Sequence, residues 1–264
     1  MSASKPTLLV DADHLIFKAG MRGDGFMVEA EELMREVESL PLLCGCGHML
    51  LFLSGRSKEG FRKHISSSYK ENRVGARRPP NEADLRQLLI DEFETYLIED
   101  LEADDLCAIV QTQMIKEGGY DSVATFGIDK DLLQIPGNHF RRVYNRDEKR
   151  WEYSEAFISK IDALYNHMWQ TIVGDSGDNV KGAWRKGPKA AERALEDPTF
   201  GLDYWAAVCG VFADADHDTQ VAIDMARLTF LLRPENYDLE DRIHLKPWTP
   251  EQFYQMLEEA EQDG

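Results

Sequence analysis

The sequence predicts an α/β fold, with a mostly parallel central sheet flanked by helices. Three observations carry that expectation. Short apolar, β-prone runs (Thr7–Val10, His48–Leu53, Asp121–Phe126 and Phe140–Tyr144) alternate with longer stretches of helical periodicity, the signature of βαβ units. Two of those runs end at acids, at Asp11 and at Asp129, as expected where ligands gather beyond the carboxyl ends of parallel strands. At 264 residues the chain is long enough for one large domain, or a domain with a small appendage.

The net charge of −18 argues against a nucleic-acid partner until its distribution is read. From Gly55 to Pro79 there are eight Lys/Arg against two acids, a local +6, and Lys58 and Arg78 flank the centre of this run. From Lys181 to Arg193 there are five Lys/Arg against one acid, a local +4. From Ala194 onward sixteen acids face four basic residues, a local −12. Two basic patches, a central acid cluster and an acidic tail are thus hidden inside one total. No apolar run approaches the roughly 20 residues of a membrane span. Leu8-Leu9-Val10 meets Asp11 too early for a signal-peptide core. Cys44, Cys46, Cys107 and Cys209 sit mostly in apolar contexts and suggest a reducing compartment, so a soluble, cytoplasmic protein is expected. Cys44-Gly-Cys46-Gly-His48 lacks a second ligand pair at finger-like spacing, and a zinc site there is disfavoured.

Taken in order, Thr7–Val10 is a strand that stops on Asp11. Asp11 reads as the functional acid, Asp13 as a helix cap or a support for it, and His14 as a local structural residue. Val28–Leu40 is helical with a charged face, and His48–Leu53 is a second buried strand ending at Ser54-Gly55. The basic segment that follows has no continuous apolar face. Its interleaved Phe61 and Tyr69 suit a phosphate-tracking segment with stacking platforms, and Lys70 and Arg73 are its best candidates. Asn81–Leu97 resumes helical spacing, through Leu85, Leu89, Phe93, Tyr96 and Leu97, and reads as one core-packing helix. A helix from Asp104 to about Lys116 stops at Gly118-Gly119. Asp121–Phe126 is a third strand, Phe140–Tyr144 a further one, and Asn145–Lys149 a turn. Val173–Lys189 is a Gly-rich turn between helices, able to offer backbone amides and a Lys to phosphates. From Phe200 the pattern is helical, with Thr249-Pro-Glu-Gln a capping box on the last helix.

The acids decide the chemistry. Glu102-Ala-Asp104-Asp105 alone fits an acidic helix start and part of a metal site about equally. Asp11, Asp129, Asp131, Asp175 and Asp178 add carboxylates from other places that an α/β sheet can bring to one edge. So many carboxylates stay ionised together only if cations neutralise them. Oxygen-only ligands point to Mg²⁺ or Mn²⁺, and two such ions suit phosphodiester cleavage. Lys70 and Arg73 can add positive charge at the scissile phosphate.

These residues carry a resemblance. Val10-Asp11, Tyr69-Lys70-Glu-Asn-Arg73, Glu102-Ala-Asp-Asp105, Asp129-Lys-Asp131 and Val173-Gly-Asp-Ser-Gly-Asp-Asn179, in that order, resemble the flap endonuclease (5′-nuclease) family. The similarity spans about residues 7–195, and the size is closest to bacteriophage 5′–3′ exonucleases. The resemblance implies a PIN-like fold with a helical arch at about 55–97 and a helix-three-turn-helix element on duplex DNA. It implies a nuclease core over 1–170 and a DNA-binding, acidic helical part over 171–264. By resemblance, Asp11, Glu102 and Asp104 belong with a first Mg²⁺ and Asp129, Asp131 and Asp175 with a second, Mn²⁺ being able to substitute. Asp105 and Asp178 lie at or near the ions. Lys70 and Arg73 match the catalytic arch cations, with Tyr69 a base-stacking residue and Arg62 and Lys63 further DNA contacts. Gly182, Arg185, Lys186, Gly187 and Lys189 match the DNA-backbone hairpin, which in this family often holds K⁺. The expected activity is hydrolysis of DNA at free 5′ ends, flaps or nicks, by a monomer acting in phage replication or recombination in the host cytoplasm. There are departures. Ser54 stands where many members carry a strand-end Asp, and Arg185 and Lys186 replace a Gly and an apolar residue. The alternative is a catalytically weakened DNA-junction binding protein, supported by Ser54 alone. An RNA-cutting relative has less use for a separate duplex-binding element.

Overall fold

The computed structural model describes residues 5–56, 60–239 and 245–262, so Lys58 lies outside the described residues. The chain forms two compact units. One comprises Met1–Ser57, Arg77–Leu132 and Gly137–Phe157, the other Lys58–Ala76, Leu133–Pro136 and Ile158–Gly264. The segment expected as an arch is thus divided between them.

The first unit is built on a six-stranded sheet: β1 (Thr7–Asp11), β2 (His48–Ser54), β3 (Thr95–Ile98), β4 (Val123–Phe126), β5 (Gly137–Asn145) and β6 (Arg150–Ile158), in the order β3-β2-β1-β4-β5-β6. The pairs β1–β2, β1–β4, β2–β3 and β4–β5 are all parallel. The predicted α/β fold is observed. Leu8, Leu9 and Val10 are all fully buried, because central β1 is covered on both faces. On one face, α1 (Asp13–Gly20), α2 (Phe26–Leu43) and α4 (Glu82–Glu92) pack Leu15, Leu33, Val37, Leu85 and Leu89 against Leu8, Val10, Leu51 and Phe126. On the other lies α5 (Ala103–Gly118), tied to β4 by a hydrogen bond from Thr125 to Gln111.

One expectation is corrected here, and one strand is new. The helix expected over Asn81–Leu97 stops at Glu92. Phe93 is extended, Thr95 Oγ1 donates to the Leu89 and Phe93 carbonyls (3.0 and 3.1 Å), and Thr95–Ile98 joins β2 as an edge strand. The apolar spacing through Phe93, Tyr96 and Leu97 mimics a helix face, but the β-branched and aromatic run prefers the pleated edge. Strand β6 was not expected, since its polar composition masks its alternation. Its lead-in is local: Asn145 Oδ1 accepts from the N–H groups of Asp147 and Glu148, both at 3.1 Å, to build the predicted turn.

In the second unit α3 (Phe61–Ile65), α6 (Lys160–Val173), α7 (Pro188–Leu195), α8 (Tyr204–Ala213), α9 (Thr219–Thr229) and α10 (Pro250–Gln262) enclose a separate core. Its centre is Met168, Ile172, Val208, Phe212, Ala226, Phe230, Trp248 and Phe253. Acids of the negative tail work as helix caps: Asp203 accepts from Ala206 N and Asp218 from Val221 N, each at 3.0 Å. The expected box at Thr249 is half made. Thr249 Oγ1 accepts from Gln252 N at 3.4 Å, while the Gln252 amide donates instead to Asn236 Oδ1 at 2.9 Å. Among the described residues no helix is long and apolar enough to cross a membrane.

Candidate active site

The acids of the first unit collect at the carboxyl ends of β1 and β4 and at the start of α5. Glu102 precedes α5 with extended backbone (φ −89°, ψ 157°) and makes no side-chain cap to its own helix. The first amide of α5, Ala103 N, is met by Ser54 Oγ at 3.0 Å, and Asp105 N by Asp104 Oδ1 at 2.8 Å. Glu102 is thus the N-cap residue of α5 without a side-chain capping bond, and Asp104 and Asp105 lie in the first turn of that helix, so the cluster is an acidic helix start. Ligand oxygens of Glu102, Asp104 and Asp105 all lie within 4.8 Å of one another, with Asp105 fully buried. A buried carboxylate among others requires donors or cations around it. Asp11 is the last residue of β1, paired in register with Phe52, and Gly127 at the end of β4 lies beside it. Burial pushes the Cys107 thiol well above its ordinary range, and the nearby carboxylates of Asp11, Asp104 and Asp13 push it further. Asp129 and Asp131 follow β4 in a loop where Asp129 Oδ1 accepts from Asp131 N at 3.0 Å.

Asp13 is not the cap of α1, whose N-cap is Ala12. Its carboxylate reaches across to the end of β2, accepting from Ser54 N at 3.0 Å and from Arg86 Nη1 at 2.7 Å. Sequence reasoning missed Arg86. Its signal was an arginine between Leu85 and Leu89 on a helix read only as core-packing. Burial pushes the His14 imidazole down to about 4. Cys44 and Cys46 are buried thiols pushed up to about 12 and about 11 by burial, and His48 pairs with Glu94 at 3.1 Å.

The second unit holds the remaining candidates. Between α6 and α7 the chain folds back on itself. Asp175 N donates to Val180 O (2.9 Å), Val180 N to Asp175 O (2.7 Å), and Ala183 N to Ile172 O (2.8 Å). Asp175 Oδ1 accepts from Gly177 N at 2.7 Å. Asp178 gathers the basic segment: its carboxylate takes Tyr69 Oη at 3.0 Å, Lys70 Nζ at 3.4 Å and the Arg73 guanidinium. Main chain and amides strengthen the same contact, with Lys70 N on Asp178 O (2.8 Å) and Asn72 Nδ2 on Ser176 O (2.9 Å). Lys70 itself is left-handed (φ 54°), an unusual conformation for a side-chain-bearing residue.

Two expected DNA contacts are displaced. Arg62 is 4% exposed, and its guanidinium donates to the Leu228 and Phe230 carbonyls (3.0 and 2.7 Å), closing the end of α9. Tyr69 is buried among Val180 and Leu228, so its ring presents no face to a base. Lys63 donates to Ser67 O at 3.2 Å. In the hairpin Gly182, Arg185, Lys186, Gly187 and Lys189 lead into α7, which starts without a side-chain cap, with Gly187 as N-cap and Pro188 in the first turn. Arg185 is left-handed (φ 56°) at the position where the resemblance has glycine, and its guanidinium lies 5.4 Å from the exposed Trp184 ring. Trp184 is a further surface residue that the sequence reading passed over.

No protein-family model matches the chain. The flap endonuclease Xni of Shewanella amazonensis is 27% identical over 194 residues, covering 70% of this chain and 73% of that protein. A structure of T5 5′-exonuclease with bound zinc superposes with a TM-score of 0.66 at 19% identity, covering 98% of this chain and 99% of that one. The fold is that of the 5′-nucleases. A bacteriophage T5 D15 flap endonuclease complex with DNA and metal ions gives a TM-score of 0.63 at 19% identity over 97% of this chain and all of the other.

Proposed function

We propose that the chain is a divalent-metal-dependent 5′-nuclease that hydrolyses DNA phosphodiesters near free 5′ ends, flaps or nicks. The observation that carries this reading is the Glu102, Asp104 and Asp105 group, whose ligand oxygens lie within 4.8 Å of one another on a helix start whose N-cap residue, Glu102, makes no side-chain capping bond. The donor set is oxygen only, which suits Mg²⁺ with Mn²⁺ as a substitute. In this reading Asp11, Glu102, Asp104 and Asp105 hold a first ion, Asp129 and Asp131 serve a second, and Asp175 and Asp178 are further candidate ligands on the α6–α7 turn. Such ions, when bound, supply an activated water and charge stabilisation at the attacked phosphate.

The chain's own residues supply binding and orientation. Lys70 and Arg73, held by Asp178 in the absence of substrate, transfer to phosphate oxygens when DNA arrives. Lys189 and the first amides of α7 take the duplex backbone, with Arg185 and Lys186 adding charge. K⁺ at 182–189 would enter a hairpin already carrying three cationic side chains, and the reading is confined to the divalent ions. A nuclease core and a duplex-binding part then act as one monomeric enzyme of DNA replication or recombination in the (host) cytoplasm.

The test is cleavage of a 5′-labelled flap duplex in Mg²⁺, in Mn²⁺ and in chelator, with Asp104→Asn and Asp175→Ala alongside. Short 5′ products that need metal, and vanish in both variants while flap binding survives, support the reading. Tight flap binding without cleavage in either metal overturns it in favour of a junction-binding protein.

A further inference from the structure

The end of β2 is tied into the acid group by a closed set of hydrogen bonds. Ser54 engages three elements at once. Its N–H donates to Asp13 Oδ2 (3.0 Å), its carbonyl accepts from Arg86 Nη2 (2.6 Å), and its Oγ accepts from Ala103 N (3.0 Å) at the head of α5. Arg86 closes the ring by donating Nη1 to Asp13 Oδ1 at 2.7 Å. The Arg86 side chain is 8% exposed and that of Asp13 26%. A guanidinium this deeply placed is retained only where its fork is matched, here by one carboxylate oxygen and one carbonyl. The ring thus joins α4 to the start of α1 and the end of β2, and Ser54 Oγ passes the connection to the residue between Glu102 and Asp104.

We propose that Arg86 is a positioning residue: a fixed internal cation that, through Asp13 and Ser54, holds the acid group of α5 assembled before any divalent ion arrives. The inference rests on the reading of Glu102, Asp104 and Asp105 as ion ligands. Two consequences of opposite sign follow. The guanidinium stabilises the ion-free site, because it offsets carboxylates that otherwise repel one another. It also competes electrostatically with an incoming cation, so the site keeps its geometry at the expense of affinity. Ser54 contributes through its hydroxyl and backbone without adding a carboxylate to this end of β2. Asp13 brings a negative charge there that Arg86 balances.

The experiment uses the full chain, stripped by chelator and dialysed. Mn²⁺ alone is titrated calorimetrically, and melting is followed in chelator and in Mn²⁺. Arg86→Gln is expected to bind Mn²⁺ about tenfold tighter, the scale on which one neighbouring charge shifts an ionisation. It should also melt lower in chelator and gain more from Mn²⁺ than the unsubstituted chain. Arg86→Lys keeps the charge and loses the fork, so its Mn²⁺ affinity stays within about threefold of the original while its melting point in chelator falls. An arginine whose charge does not reach the acid group would leave the Mn²⁺ affinity unchanged on removal. Arg86→Gln binding Mn²⁺ no tighter than the original overturns the inference. If that variant does not fold in chelator, an Arg86→Lys affinity outside the threefold window does so. Absence of Mn²⁺ binding by the unsubstituted chain overturns the metal reading as well, which separates the two failures.

Discussion

Gly174→Ala is expected to cost about 3 kcal/mol of stability, while Gly187→Ala costs almost nothing. Gly174 has φ +76°, and a Cβ built there falls 2.4 Å from Val180 O and 2.6 Å from Gly182 N. Gly182 mirrors it, with φ +64° and a Cβ 2.4 Å from Ile172 O. Those neighbours are main chain and cannot swing aside as a flexible side chain would. Relief requires the segments on either side of the Asp175–Val180 turn to part, which sacrifices the Asp175–Val180 pair (2.9 and 2.7 Å) and weakens Ala183 N to Ile172 O (2.8 Å). Two backbone hydrogen bonds at about 1 kcal/mol each, plus at least about 1 kcal/mol for an alanine held at φ 76°, ψ −172°, a region essentially reserved to glycine, give the figure. Gly187 has φ −105° and open space around its Cβ position, so a methyl there is tolerated. Urea denaturation of both variants, with duplex binding at low salt, is the assay. Gly187→Ala should fold like the original and lose several-fold in duplex affinity, because its methyl stands where a phosphate would approach the amides of α7. Gly174→Ala within about 1 kcal/mol of the original would refute the argument, since the turn would then have slack that the packed backbone denies.

Three further outcomes are expected. Arg62→Met should lower stability by about 2–4 kcal/mol in denaturant melts, as two buried carbonyls at the end of α9 lose charged donors; a loss under about 0.5 kcal/mol would return Arg62 to the surface set. Burial pushes His167 down to about 3, so the folded chain takes up its proton later than the unfolded one. The stability contributed is complete above the unfolded value of about 6.5 and drains away as pH falls toward 3. Between pH 7.5 and 5.0 the original should therefore lose more stability than His167→Gln, and equal losses would remove His167 from the account. Asp178→Asn should cost no more than about 2 kcal/mol: the Asp178 side chain is only 14% exposed and Lys70 26%, but an amide still accepts from Tyr69 Oη and the Arg73 side chain is 55% exposed and screened by solvent. A loss above 2 kcal/mol would show that the contact is a structural strut, ill-suited to handing Lys70 and Arg73 to a phosphate.

What the sequence determined by itself was local. Leu8-Leu9-Val10 stopping at Asp11, α5 stopping at Gly118-Gly119, and the Asn145–Lys149 turn are written in neighbouring residues, because strand burial, helix termination and turn chemistry act over a few positions. Ordered motifs placed the acids in the chain and pointed to their chemistry. The tertiary structure alone decided which partner each charge took. Arg62 looked like Lys63 until residues 228 and 230 claimed its guanidinium, and Tyr69 looked like a stacking platform until Val180 and Leu228 enclosed it. Arg86 drew no reading of its own until the fold set Asp13 and Ser54 around it. The helix-like spacing through Phe93–Leu97 became β3 only because β2 offered an unpaired edge. A charge or a strand edge is satisfied by whatever the fold brings near it, and that distance in sequence carries no local signal.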